Sequence, residues 1–214
     1  MGERANEYAE RPRAAEIPCP FLLTAYNNGR LVPSEDGTVD HAAVDAALAG
    51  AGLGPRVRDK LLGVVSRADV APDRLDLFGL RDSPIDHTGS TGIRDPKVNP
   101  GRLPELLAFG EGGRIYRKHL AAAVAHFGRA DRGRKGMTVQ TTELTALLEV
   151  FGRVDERGRR YLSDADVRRL WLEGRYPEGW SPRARDSITL PKFLLSWAKT
   201  AARPTLASLF GRRG

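Results

Sequence analysis

The sequence contains a single cysteine, Cys19, among 214 residues. A disulfide within the chain needs two cysteines, so Cys19 has no partner with which to form or resolve one. A lone cysteine in a soluble protein is more often an inert buried residue than a reactive one. A chemical role for Cys19 therefore has to be argued from the residues around it.

Long apolar runs are also missing. No stretch approaches the roughly 20 consecutive apolar residues that a membrane-spanning helix needs. The first sixteen residues are strongly charged and lack the apolar core of a signal peptide. We therefore expect a cytoplasmic protein with no membrane partner.

Aromatic residues make up only 7% of the chain, and they are not interleaved with its 34 lysines and arginines. Proteins that bind single-stranded nucleic acids combine basic grooves with stacking aromatic side chains. The net charge of +7 therefore predicts mainly a solvated, arginine-rich surface. Nucleic-acid binding by an arginine-rich helical protein stays open as a minor alternative.

Regular alternation of apolar and polar residues is missing over any useful strand length, whereas apolar residues recur at helical spacing. Helices are predicted at about 20–28, 38–48, 56–66, 103–109, 114–129, 142–151, 162–173 and 189–199. A chain of 23.4 kDa with 41% apolar residues can form one compact domain. The sequence predicts an all-α single domain over 1–214, with a loosely ordered polar segment at 1–14 and a basic tail at 204–214.

Two prolines flank Cys19, and a short helical pattern follows. Pro18 favours extended backbone before it, and Pro20 suits the first turn of a helix, where a missing N–H costs little. The helix is expected to stop near Gly29. At a helix start, unpaired N–H groups and the dipole favour the thiolate form of a cysteine, which can act as a nucleophile, a redox sensor or a metal ligand.

The segment from Pro18-Cys19-Pro20 to Asn27-Asn28-Gly29 resembles the proximal segment of the haem-thiolate peroxidases, the family of chloroperoxidase and the unspecific peroxygenases. The resemblance implies a helical domain around a haem b pocket with Cys19 as the axial ligand of the iron. It also implies that Pro18, Pro20 and Asn27 belong to the cofactor-binding segment.

A second segment, residues 83–96, combines glycines and prolines with an acid, a histidine and a serine. It resembles the distal motif of the same family. The resemblance implies that Asp86 and Ser90, with His87 and a haem propionate, hold one divalent cation, Mg²⁺, Mn²⁺ or Ca²⁺. Asp86 is one methylene shorter than the family's glutamate, and Thr88 stands where the family has a second carboxylate.

The helix predicted at 142–151 carries two glutamates. Leu144, Leu147, Leu148 and Phe151 form an apolar stripe, with Glu143 at its edge and Glu149 on the opposite side. We expect Glu149 to meet water. The resemblance implies that Glu143 is the acid–base catalyst and that His87 orients it, although a charge that stabilises the helix start is an equally good explanation without the family.

A twelve-residue segment from Asp155 to Asp166 has an acid at each end, as calcium-binding loops do. Arg157 and Arg159 stand where oxygen ligands are needed, and Arg160 stands where glycine is required. The sequence therefore predicts that this segment does not bind calcium.

The resemblance implies a peroxidase or peroxygenase that uses hydrogen peroxide. Its substrate would be a small apolar or aromatic organic molecule, transformed by oxygen transfer, one-electron oxidation or halogenation. Asp86 and Thr88 differ from the residues that the family has at these positions. Two alternatives therefore stay open, a non-catalytic haem-binding protein and a binding protein that has lost haem.

Overall fold

A computed structural model provides the fold. It describes residues 12–17, 19–66, 69–71, 73–80, 102–130, 134–182, 184 and 186–210. Its helices are α1 (Pro20–Asn27), α2 (His41–Gly50), α3 (Pro55–Val65), α4 (Arg102–Ala108), α5 (Arg117–Ala130), α6 (Arg134–Phe151), α7 (Asp164–Arg168) and α8 (Leu190–Phe210). A 3₁₀ turn (Pro12–Glu16) precedes α1, and a π-helical turn (Arg169–Glu173) follows α7. No helix in these ranges is long and apolar enough to cross a membrane.

The prediction of an all-α fold is wrong, because the chain also forms two three-stranded antiparallel sheets. The first consists of β1 (Thr38–Asp40), β2 (Asp69–Ala71) and β3 (Arg74–Asp76), in the order β1-β3-β2. The second consists of β4 (Arg114–Tyr116), β5 (Arg153–Val154) and β6 (Arg160–Ser163), in the order β4-β6-β5. The fold is therefore mixed α and β.

The second sheet joins segments that lie far apart in the sequence. Ile115 of β4 pairs with Leu162 of β6, and both side chains are fully buried. Strands of two to four residues are too short to show an alternating pattern, so residues 114–116 and 162–163 were included in predicted helices. The pairing itself, rather than a local pattern, makes these residues extended.

Helices α5, α6 and α8 pack against one another. Buried side chains from α5 and α6 include Leu120, Val124, Phe127, Leu144 and Leu148. Helix α6 begins at Arg134, eight residues before the start predicted at 142. Helix α8 continues to Phe210 and so includes much of the segment predicted as a basic tail.

The amino-terminal part of the fold is tied to the segment before α8. Leu53 forms a parallel bridge with Ile188, and Arg58 donates to the carboxylates of Asp45 and Asp186 and to the carbonyl of Leu53. The arginine therefore crosslinks α2, α3 and the segment before α8 at one point.

The start of α5 contains a buried histidine. The Nδ1 atom of His119 accepts a hydrogen bond of 3.3 Å from the backbone N–H of Tyr116. Burial lowers the pKa of His119, the charge of Lys118 lowers it further, and Glu111 and the Arg114 backbone oppose this. The neutral ring is therefore the form that fits the fold, because only an unprotonated Nδ1 can accept the Tyr116 hydrogen bond.

We expect the free energy of unfolding to decrease as the pH falls from about 7 to about 5. The folded-state pKa of His119 lies below its ordinary value of 6.5, so the unfolded chain binds the proton more tightly. The stabilisation that the neutral His119 ring provides is fully present above the unfolded-state pKa. It is lost as the pH falls from there through the folded-state pKa. His119→Gln keeps an acceptor at the third helical position and should flatten the slope measured by urea unfolding.

His126→Gln, at an exposed position on the same helix, is the matched control. An unchanged slope in His119→Gln would show that other groups cause the pH dependence.

Candidate functional site

Cys19 occupies the N-cap position of α1. Its backbone is extended, with φ −81° and ψ 118°, and the helix begins at Pro20, as the sequence predicts. The Cys19 side chain makes no capping hydrogen bond, and it is half-buried against the hydrophobic core. The thiol is therefore held at a helix start without serving the helix as a cap.

The other residues predicted for the cofactor-binding segment have different placements. Pro20 is buried, and its carbonyl accepts a hydrogen bond of 2.7 Å from the Thr24 hydroxyl. Asn27 is buried at the end of α1 and donates to the Glu173 carbonyl at 3.3 Å. Pro18 lies outside the described residues. Asn27 therefore contacts the backbone at the end of the π-helical turn.

Gly174 makes this close approach to α1 feasible. Its φ of +58° is left-handed, and a Cβ atom there would lie 2.5 Å from Asn27 Nδ2 and 2.5 Å from Leu23 Cδ2. Both the backbone conformation and the space therefore require glycine.

Gly174→Ala is expected to reduce the free energy of unfolding by about 3 kcal/mol, from left-handed strain together with overpacking against Leu23 and Asn27. Gly158→Ala is the matched control, because Gly158 also has a positive φ of +73° but has open space around it. The control should lose only about 1 kcal/mol. Equal losses in urea unfolding of the two variants would exclude the packing explanation.

Glu143 lies within α6 and is buried, with 7% of its surface exposed. Its neighbours along the helix, Leu144 and Leu147, belong to the core. Eight residues further on, Phe151 packs against Phe21 with 6.4 Å between ring centroids. At 1.5 Å rise per residue, Glu143 lies about 12 Å along the helix from the point where α6 contacts α1. The helix thus connects the Glu143 carboxylate to the segment that carries Cys19.

The prediction that Glu149 meets water is wrong. Only 3% of Glu149 is exposed, and its carboxylate accepts hydrogen bonds from Arg117 Nη2 at 2.8 Å and from Ser196 Oγ at 2.7 Å. Arg160 Nε lies 3.5 Å away. The face of α6 opposite the apolar stripe is covered by α8 and β6. The negative charge of Glu149 is therefore balanced by arginines within the protein rather than by water. Burial lowers the pKa of Arg160, and Glu149 opposes that effect.

The two acids of the calcium-loop-like segment are engaged by arginines. Asp155 accepts from the backbone N–H groups of Arg157 and Arg159 and from Arg159 Nε at 2.9 Å. Asp166 accepts two hydrogen bonds, of 2.7 and 2.8 Å, from Arg153. Burial raises the pKa of both carboxyls, but these bonds outweigh it and hold each pKa below its ordinary value. The guanidinium groups therefore supply the positive charge that a calcium ion would otherwise bring.

The predicted cation ligands Asp86 and Ser90, and His87, lie outside the described residues. Among the residues that are described, no group of three or more histidine, cysteine, aspartate or glutamate side chains could hold a metal ion. A haem iron needs only one protein ligand on its proximal side, so a lone Cys19 is an adequate donor set for haem.

Three phenylalanines that could line an apolar pocket, Phe78, Phe109 and Phe151, have different aromatic neighbours. Phe78 packs edge-on against Tyr26 at 5.7 Å, and Phe109 packs against Phe127 at 6.3 Å. Phe151 packs against Phe21. These contacts do not place the three rings around one cavity.

An aromatic cluster that the sequence analysis missed lies beside α1. It consists of Phe21, Phe151, Tyr176 and Trp180, with the guanidinium of Arg30 over the last two rings. Tyr176 and Trp180 are stacked, with 4.4 Å between centroids and 19° between planes. Tyr176 and Trp180 lie close together in the sequence, but their partners Phe21 and Phe151 come from α1 and α6 and are distant in sequence.

Comparison with known proteins did not place the chain in a family. No family model matches it, and no curated protein matches it significantly.

Proposed function

We propose that the protein is a haem-thiolate peroxidase or peroxygenase with Cys19 as the proximal ligand. The observation that supports this most directly is the placement of the only cysteine at the N-cap of α1, where its side chain is not used as a cap. Helix starts are among the positions at which cysteines act as ligands or nucleophiles in proteins.

The residues around Cys19 are apolar, which suits a bound haem. Apolar side chains of the core pack against the half-buried cysteine, which is the kind of surface that a haem face requires. Haem, when bound, supplies the redox chemistry of peroxide activation, and a thiolate ligand favours cleavage of the O–O bond.

Glu143 is the residue that we assign to proton transfer. In this proposal its carboxylate accepts a proton from one oxygen of hydrogen peroxide and returns it to the other, which departs as water. His87, which lies outside the described residues, is proposed to orient Glu143.

The absorption spectrum of the purified protein, reduced and saturated with carbon monoxide, tests this proposal. A Soret band at the position typical of thiolate-ligated haem would support Cys19 as the ligand, and turnover of hydrogen peroxide would then support the enzyme. A haem band without turnover would favour the non-catalytic haem-binding alternative. A colourless protein that takes up no added haemin would contradict both.

A further inference from the structure

The aromatic cluster of Phe21, Phe151, Tyr176 and Trp180 extends from the cysteine segment toward the protein surface. Phe21 follows Cys19 by two residues on α1 and lies 6.4 Å from Phe151, measured between ring centroids. Phe151 lies 5.5 Å from Trp180, and both Tyr176 and Trp180 are only half-buried. Packed rings therefore connect the helix start at Cys19 with partly solvent-exposed indole and phenol groups.

We infer that Trp180 is an electron-transfer site at which bulky aromatic or inorganic electron donors are oxidised without entering the haem pocket. This rests on the proposed function, in which Cys19 would hold a haem that supplies the oxidising power of hydrogen peroxide. Trp180 would give one electron to that cofactor, and a donor molecule at the surface would return one electron to Trp180. Two donors and two protons reduce one peroxide molecule to two water molecules.

The surroundings of Trp180 keep its proton in place and fix its orientation, so that the ring can lose and regain an electron reversibly. Its Nε1–H donates to the Val150 carbonyl at 3.1 Å, an oxygen that is too weakly basic to remove the proton. The stack on Tyr176 and the contact with Phe151 hold the ring in one orientation. Fixed geometry keeps the reorganisation on electron transfer small.

Tyr176 is the less suitable donor of the stacked pair. Oxidation of a phenol releases its proton, and burial raises the pKa of Tyr176 to about 12. The role of Tyr176 is therefore to support the indole ring and to share the charge that develops on it.

Arg30 determines which donors approach. Its guanidinium carbon lies 5.6 Å from the centroid of Trp180 and 5.3 Å from that of Tyr176, and the side chain is exposed. A cation beside the ring makes the oxidised indole a stronger oxidant and attracts anionic donors. The site should therefore prefer anionic donors to cationic ones.

The test uses the haem-loaded protein, hydrogen peroxide and ferrocyanide. Ferrocyanide is an anion that can only lose an electron, so its oxidation reports electron transfer and not oxygen insertion. Electron paramagnetic resonance of samples frozen rapidly after peroxide addition reports a tryptophan radical. Trp180→Phe should lose this radical and oxidise ferrocyanide at least about tenfold more slowly.

Trp197→Phe is the matched control. Trp197 is also half-buried, and its Nε1–H donates to the hydroxyl oxygen of Thr142.

Arg30→Gln provides a second test at an exposed position that does not threaten the fold. It should slow ferrocyanide oxidation at low ionic strength and have little effect at high salt. The inference would be overturned if haem-loaded Trp180→Phe showed the radical and the ferrocyanide oxidation rate of the parent. It would also be overturned if only Tyr176→Phe lost the radical, or if the effect of Arg30→Gln on the rate did not depend on salt. A protein without haem would overturn the proposed function as well, which distinguishes the two failures.

Discussion

Cys19→Ala is expected to eliminate the thiolate haem spectrum and peroxide turnover together. Cys19 is the only cysteine of the chain, so no second thiolate can replace it. Its side chain is half-buried and makes no capping hydrogen bond, so the substitution should cost only about 1 kcal/mol of stability or less. Loss of the spectrum in a variant that melts near the parent temperature would therefore reflect lost ligation rather than unfolding.

Cys19→Ser is the control for size, because it keeps nearly the volume of the side chain and removes the sulfur. Haem content per chain, the carbon monoxide spectrum and thermal melting are measured on both variants and the parent. A parent spectrum that is unchanged in Cys19→Ala would show that the haem is not bound through sulfur.

Glu143→Gln is expected to retain haem and to lower peroxide turnover by about 10²–10⁴-fold, the usual contribution of a positioned general acid or base. The amide has nearly the shape of the carboxylate but cannot shuttle a proton. Glu143→Asp keeps the carboxylate and should recover part of the activity. Stopped-flow measurement of peroxide consumption per bound haem checks both variants.

Glu149→Gln is the matched control for Glu143→Gln, because it changes the other buried glutamate of the same helix. It weakens the interaction with Arg117 and Arg160 and should lower the melting temperature. Turnover per bound haem should stay near that of the parent. Turnover that is unchanged in Glu143→Gln would assign proton transfer to another residue.

Helix positions could be predicted from the sequence where a local signal fixes them. Pro20 and Gly29 bound α1 as expected, and the apolar pattern near 56–66 gave α3 within one residue at each end. The arginines between Asp155 and Asp166 are visible in the sequence alone, and in the structure Arg159 binds the Asp155 carboxylate. The absence of calcium from this segment stays a prediction.

The sheets and the environment of Glu149 could not be predicted because distant segments create them. Strands β4 and β6 are extended only because they pair with each other across more than 40 residues. Helical periodicity correctly placed Glu149 on the side of α6 opposite the apolar stripe. It did not reveal that Ser196 of α8 and Arg160 of β6 cover that face.

The position of Ser196 affects how the chain folds as the ribosome makes it. Helices α5 and α6 are complete by Phe151, but their shared core is closed by α8, which provides the hydrogen bonds from Ser196 to Glu149 and from Trp197 to Thr142. Until this part of α8 has left the exit tunnel, apolar surface and a glutamate side chain on the nascent chain lack their cover. Final packing of the domain must therefore wait for a late segment, and until then the nascent chain offers a binding surface to chaperones.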